Sequence, residues 1–214
     1  MSLRRDPFGL AIGHLRQQLA SGAVWPGQPL LIQDIAAELK LSPTPVREAL
    51  ARLAGEGLIE VRQGGGYRLW PADAVDLADL YEAHLCALLS GLRLLVNEPA
   101  RGVVAVSAQD HDSDTLALTE AAFDALVRAC GNRVLLAWRR SLSQRLTWAR
   151  RAEAVVFGDV EPEARALLLD LVRATDPGEQ ARAVAGFHRR RRDGAELIAR
   201  VLRDLGSRDG IVHI

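Results

Sequence analysis

The sequence predicts a mainly α protein in two parts, and three observations carry that prediction. Three short amphipathic segments come first, followed by two alternating apolar and polar stretches on either side of Gly64-Gly65-Gly66. Pro71 then interrupts the pattern, and beyond it apolar residues recur at helical spacing with no further alternation. A chain of 214 residues is long enough for two domains of ordinary size. The expected division is 1–71 and 72–214.

Each element follows from local chemistry. Asp6-Pro7 sets a capping residue before a proline at the first helical position, and Phe8, Ile12, Leu15 and Leu19 then recur along one face up to Gly22. The prolines and glycine of Trp25-Pro26-Gly27-Gln28-Pro29 cannot continue a helix, so 23–29 reads as a linker loop. A second helix is expected over 32–39, with Ile35, Ala36 and Leu39 on one side. Ser42 then offers an N-cap for a third helix over 44–55. Its Val46, Ala49, Leu50 and Leu53 make the buried stripe and leave Thr44, Arg47, Glu48 and Arg52 on the other face. Ile59-Glu60-Val61-Arg62 and Tyr67-Arg68-Leu69-Trp70 alternate around the glycines as a two-stranded hairpin. Three helices followed by a hairpin is the order of a winged helix-turn-helix. Beyond Pro71, an all-α bundle is expected, with helices near 73–96, 115–130, 133–155, 161–175 and 178–204. Residues 97–113 read mostly as loop.

Composition narrows the function classes. The formal net charge is zero, so no global basic field announces a nucleic-acid partner, and any such contact must use local charge. Residues 1–71 carry eight Lys or Arg against six Asp or Glu, a small excess. With 49% apolar and 25% charged residues the chain has the profile of a soluble globular protein. No apolar run reaches the roughly 18 residues of a membrane span, and no signal-peptide stretch follows Leu3-Arg4-Arg5-Asp6. The expected location is the cytoplasm, with no membrane partner. Cys86 and Cys130 both fall within apolar helical patterns and read as buried thiols.

A helix that enters the major groove needs an apolar inner side, and short polar groups with an arginine near its N-terminal end. Ser42-Pro43-Thr44-Pro45-Val46-Arg47-Glu48-Ala49-Leu50 meets both demands. Ser42 and Thr44 suit phosphate oxygens, and Arg47 suits a phosphate or a guanine edge. Together with Glu56-Gly57-Leu58-Ile59 and Arg62-Gln63-Gly64-Gly65-Gly66, these residues match in order a helix-turn-helix core, a turn and a glycine-tipped wing. In that, residues 8–70 closely resemble the DNA-binding domain of the GntR family of bacterial regulators. The resemblance implies a sequence-specific DNA-binding transcription regulator, expected to be a repressor, whose partner is double-stranded operator DNA. It implies Ser42, Thr44 and Arg47 as DNA contacts, with Gln63, Gly64 and Gly65 at the wing tip. Arg52 and Arg62 join them as nearby phosphate candidates. Arginines frequent in the family at the positions of Gln33 and Pro43 are absent. A homodimer is expected, because one winged domain reads only a half-site.

The helical remainder is similar to the effector domain of the FCD subgroup of that family, through Asp79-Leu80-Tyr81-Glu82 and through Phe123 followed by Ala129-Cys130-Gly131-Asn132. The resemblance implies an effector-binding and dimerisation domain that takes a small organic acid, in many members with a divalent metal held by one aspartate and three histidines. The matching positions are Glu120, Asp124, Ala164 and His188. Ala164 cannot ligate, so no cofactor is expected, and Glu120, Asp124 and His188 stand as weak metal candidates. With His84, where the family often places an arginine, they are also the candidate effector-binding residues. On pattern alone, Glu120 and Asp124 form a solvated i,i+4 pair and His188 is a helix-surface residue. The arginines of His188-Arg189-Arg190-Arg191-Arg192 spread around a helix and are expected to be solvated or paired with acidic neighbours. Two alternatives stay open, an effector-independent DNA-binding or interaction protein with a vestigial ligand domain, and a metal-dependent enzyme. Against the enzyme, His111-Asp112-Ser113-Asp114 reads as helix-capping sequence. No spaced His or Cys pair, phosphate loop or triad signature supports Ser141 or Ser143 as a nucleophile, and no enzymatic activity is expected.

Overall fold

In the computed structural model, which describes residues 6–96 and 115–207, the first helix opens as its sequence requires. The Asp6 carboxylate accepts a hydrogen bond from the Gly9 N–H at 2.9 Å, Pro7 takes the first turn, and Gly22 closes the helix in the left-handed region. This is α1 (Pro7–Ser21), followed by β1 (Pro29–Leu30), α2 (Ile32–Leu39), α3 (Pro43–Gly55), β2 (Ile59–Val61) and β3 (Tyr67–Leu69). Leu15, Val46, Ala49, Leu50 and Leu53 are buried to within 1% of exposure, so the apolar stripes of α1 and α3 supply the core. Each such leucine contributes about 1.5–3 kcal/mol by leaving water.

The sheet has three strands in the order β1-β3-β2, all antiparallel, where the sequence reads as a two-stranded hairpin. The expected loop over 23–29 conceals the third strand. Its end pairs with β3, with Gly27 N–H donating to the Leu69 carbonyl at 2.9 Å and Leu69 N–H to the Gln28 carbonyl at 3.0 Å. Pro29 lacks an N–H, and it is tolerated because β1 is an edge strand. Across the wing, Glu60 faces Arg68 in register and the two side chains form an ion pair.

The described chain divides into two compact units, one of residues up to Ala72 with those from Leu202 onward, the other Asp73–Val201. The second is built of α4 (Ala74–Val96), α5 (Thr115–Ala129), α6 (Arg133–Arg145), α7 (Thr147–Phe157), α8 (Val160–Arg173), α9 (Pro177–Asp193) and the beginning of α10 (Ala195–Ser207). Two expected helices are thus each divided in two. At Leu146 the Thr147 hydroxyl donates to the Gln144 carbonyl at 2.8 Å and competes with the backbone ladder. At Gly194 the residue of lowest helix propensity after proline ends α9. The core joins Leu88, Leu92 and Leu95 of α4, Phe123 and Leu126 of α5, Leu168 and Leu171 of α8, and Val184 and Phe187 of α9. Gly91 permits the approach of α4 to α5, since a Cβ there would sit 3.3 Å from the Val127 backbone.

Cys86 is exposed, contrary to the expected buried thiol, because it lies across α4 from the buried Leu80, His84 and Leu88. Cys130 is half-buried, with its Sγ–H donating to the Val127 carbonyl. Residues 97–113 and the cluster His111 to Asp114 lie outside the described residues.

Candidate functional site

The N-terminal end of α3 is built without its usual cap. Ser42 stands at the N-cap in extended geometry but makes no side-chain capping bond. An N-cap hydroxyl ordinarily accepts from the second or third helical N–H, and here the third position is Pro45, which has none. The Ser42 hydroxyl is exposed, alongside exposed Thr44, Arg47 and Glu48. Val46, Ala49 and Leu50 hold the opposite face in the core. The positive end of the helix dipole lies at this terminus and favours a phosphate there.

Among the described residues Arg47 and Arg62 have no side-chain partner, which leaves both guanidiniums open to an anion. Arg52 differs. Its Nε donates to Glu56 Oε1 at 2.8 Å, and the same carboxylate takes Arg16 through both oxygens at 2.9 Å. At the wing tip Arg62 N–H donates to the Gly66 carbonyl and Gly65 N–H to the Arg62 carbonyl, both at 3.0 Å. Gly64, Gly65 and Gly66 have φ of 91°, 100° and 84°, three consecutive positive values that need glycine. Gln63 and the three glycines are exposed.

In the second unit His84 and His188 are both buried, which overturns the reading of His188 as a helix-surface residue. His188 Nδ1 lies 2.7 Å from the Val184 carbonyl and must carry a proton to make that bond, which leaves Nε2 bare. His84 Nδ1, 2.8 Å from that Nε2, is the donor, and His84 Nε2 faces Ser143 Oγ at 3.0 Å. Ser143 in turn donates to Glu120 Oε2 at 2.7 Å. Burial, reinforced by neighbouring charge including the Arg150 guanidinium, holds both imidazole pKa values well below their ordinary range.

Glu120 and Asp124 are not a solvated pair. Arg139 bridges them, with Nη1 donating to Glu120 at 2.9 Å and Nη2 to Asp124 at 2.8 Å. Asp124 also accepts from Arg140 at 2.7 and 2.6 Å and from Arg128, and the Arg140 bonds are the main cause of its carboxyl being held far below the usual range. These contacts do not fit a metal. Both Asp124 oxygens are taken by guanidiniums, both His188 nitrogens are engaged, and Ala164 offers no donor. Among the described residues no group of three or more His, Cys, Asp or Glu converges to hold one.

Pattern reading missed the charges inside this unit. Arg139, Arg150, Glu153 and Arg191 are all buried. Arg191 Nε donates to Glu153 Oε2 at 2.8 Å, and Tyr81 OH donates to Glu153 Oε1 at 2.7 Å. Arg190 and Arg192 pair at the surface with Asp159 and Glu82, so three of the four clustered arginines are paired as expected. The available signal was the stripe Arg139, Leu142, Leu146, Arg150, Glu153, where charged residues continue an apolar i, i+3, i+4 series.

Three helices, a three-stranded wing and an open N-terminal helix end define a protein of the winged-helix regulator class. Comparison with known proteins takes this further. The family described as bacterial regulatory proteins, gntR family, matches residues 11–69. The chain is 33% identical over 135 residues to the Nta operon transcriptional regulator of Aminobacter aminovorans, covering 58% of this chain and 64% of that protein. It thus spans slightly less than two thirds of that relative. It is 31% identical over 173 residues to a protein of Paenarthrobacter nicotinovorans named "Probable D-xylose utilization operon transcriptional repressor", covering 75% of this chain and 76% of that one. Two solved structures share the fold over 95% of this chain and all of theirs. A GntR transcriptional regulator from Rhodococcus sp. RHA1 has a TM-score of 0.69 at 19% identity, and McbR/YncC of E. coli has 0.63 at 17%. The chain belongs to the gntR family of bacterial regulatory proteins.

Proposed function

We propose that this protein is a sequence-specific DNA-binding transcription regulator, of the repressor type, that binds operator DNA as a homodimer. The observation that carries the reading is the end of α3, where Ser42, Thr44 and Arg47 are exposed on a helix whose other face is locked in the core. Arg52, Arg62, Gln63, Gly64 and Gly65 complete the proposed contact set, with Arg52 bound to Glu56 in the free protein. The relative named as a repressor supports the direction of regulation.

Residues 72–214 are read as an FCD-type domain that pairs two copies and takes a small organic acid, with His84, Glu120, Asp124 and His188 around the site and no bound metal. Exposed Val134 and Trp138, one turn apart on α6, support pairing through this part. No described helix is long and apolar enough to cross a membrane, and the cytoplasm is the proposed location.

The test is fluorescence anisotropy with fragments of the gene's own promoter region across a salt series. Binding is expected to fall steeply with salt as counterions are released. Absence of binding to every such fragment at low salt would remove the DNA reading. Light scattering on the free protein checks the dimer.

A further inference from the structure

We propose that Arg150, buried in the second unit without a hydrogen-bond acceptor among Tyr81, Phe123 and Phe187, is the receiving group of a site for a small carboxylate that works without a divalent metal. The inference rests on the reading of that unit as an effector domain and names the group that would hold the effector.

The Arg150 side chain is 2% exposed, yet its Nε, Nη1 and Nη2 donate no hydrogen bond among the described residues. A buried guanidinium with idle N–H groups is among the costliest arrangements in a protein interior, because every donor has given up water for nothing. Its nearest carboxylates do not answer that need. Glu120 Oε1 lies 3.4 Å from Nη2 without hydrogen-bond geometry, and its partner oxygen Oε2 is fixed by Arg139 and Ser143. Glu153 Oε1 lies 3.7 Å from Nη1 and already accepts from Tyr81, while Oε2 accepts from Arg191.

Pairing points the same way. Arg139 is held by Glu120 and Asp124 and Arg191 by Glu153 and Glu163, whereas Arg150 makes no hydrogen bond among the described residues. Burial favours the neutral form of both neighbouring histidines. The rings of Tyr81, Phe123 and Phe187 stand 5.5 to 5.8 Å from the Arg150 Cζ and favour a cation, but they supply no acceptor atoms. A carboxylate supplies what is missing, two acceptor oxygens spaced for the guanidinium fork. A divalent cation would meet a fixed positive charge instead.

The experiment uses full-length, chelator-treated protein without DNA, titrated with sodium formate, acetate, benzoate or lactate against sodium chloride at equal ionic strength. The readouts are thermal melting and calorimetry. At least one carboxylate is expected to raise Tm saturably, by about 3 °C or more, and equally with chelator present. Arg150→Lys keeps the charge and loses the fork, and it is expected to weaken that binding about tenfold or more. Arg150→Gln, where it folds, is expected to abolish it. No saturable response in the wild-type protein overturns the site, as does a response that needs added Zn²⁺ or Mn²⁺, or one unchanged in Arg150→Lys. A null result here leaves DNA binding through Arg47 untouched, so the two readings fail separately.

Discussion

His84 Nδ1 lies 2.8 Å from His188 Nε2 with both rings buried and nearly parallel, at an interplanar angle of 20°. The pair is held neutral in the fold and is free to take protons when unfolded. Since the folded pKa values lie well below 6.5 and the unfolded ones near it, the unfolded chain binds more protons at acid pH. Stability from this pair is therefore fully present above pH 6.5 and is lost as pH falls from there toward the folded values. The limiting slope is about 1.4 kcal/mol per pH unit for each histidine. Urea denaturation at pH 7.5, 6 and 5 checks this, and a profile flat across that range would refute it. His84→Gln is expected to remove one histidine's share of the slope.

Ser42 and Arg47 allow contact to be separated from folding. Among the described residues the Ser42 hydroxyl caps nothing and Arg47 has no side-chain partner, so Ser42→Ala and Arg47→Ala are expected to change stability by under about 0.5 kcal/mol. DNA affinity is expected to fall about 10-fold or more for Arg47→Ala, with a shallower salt slope if the contact is to phosphate. Ser42→Ala is expected to lose less. A melting temperature that falls as far as the DNA affinity does would make Ser42 a structural cap instead.

The wing glycines give a backbone test. A Cβ at Gly65 would meet nothing within 4 Å, so substitution there acts only through its φ of 100°. Gly65→Ala is expected to cost about 1–2 kcal/mol of local stability and to weaken DNA binding with it. Gly65→Asn is expected to cost less, since asparagine tolerates positive φ better. Equal losses in the two variants, measured by denaturation and by anisotropy, would refute the conformational argument.

The winged unit was legible because its signals are local. Asp6 caps its own helix, the α3 stripe repeats every three or four residues, and three glycines mark one turn. β1 escaped notice because its pairing with β3 bridges residues far apart in the chain, and Pro29 argues against a strand until its edge position is known. The buried charges of the second unit were hidden for a related reason. A single arginine is ordinarily a surface residue, and only the convergence of α5, α6, α7, α8 and α9 places carboxylates beside Arg139, Arg150 and Arg191. From the sequence His188 reads as exposed because the clustered arginines after it suggest a solvated helix, whereas α9 turns both His188 and Arg191 inward.

Glu153 is the sharpest test of that interior. Its two oxygens accept from Tyr81 and Arg191, and among the described residues it is the one carboxylate under 5% exposed in a cluster with three buried guanidiniums. Removing its charge leaves Arg191 with Glu163 and the Phe187 carbonyl and deprives the Tyr81 hydroxyl of its acceptor. Glu153→Ala is therefore expected to cost about 3–5 kcal/mol, as for other broken buried pairs. Removing both charges should cost less, because apolar side chains of similar volume need no partners. Glu153→Leu combined with Arg191→Met is expected to recover part of the loss, with the Tyr81 hydroxyl still deprived of its acceptor and Glu163 left with Arg190. Urea denaturation of the single and double variants measures both effects, with a constant m-value showing that the same surface unfolds. A loss below about 1 kcal/mol in Glu153→Ala would mean that water reaches this carboxylate, and the buried cluster would have to be redrawn as a hydrated one.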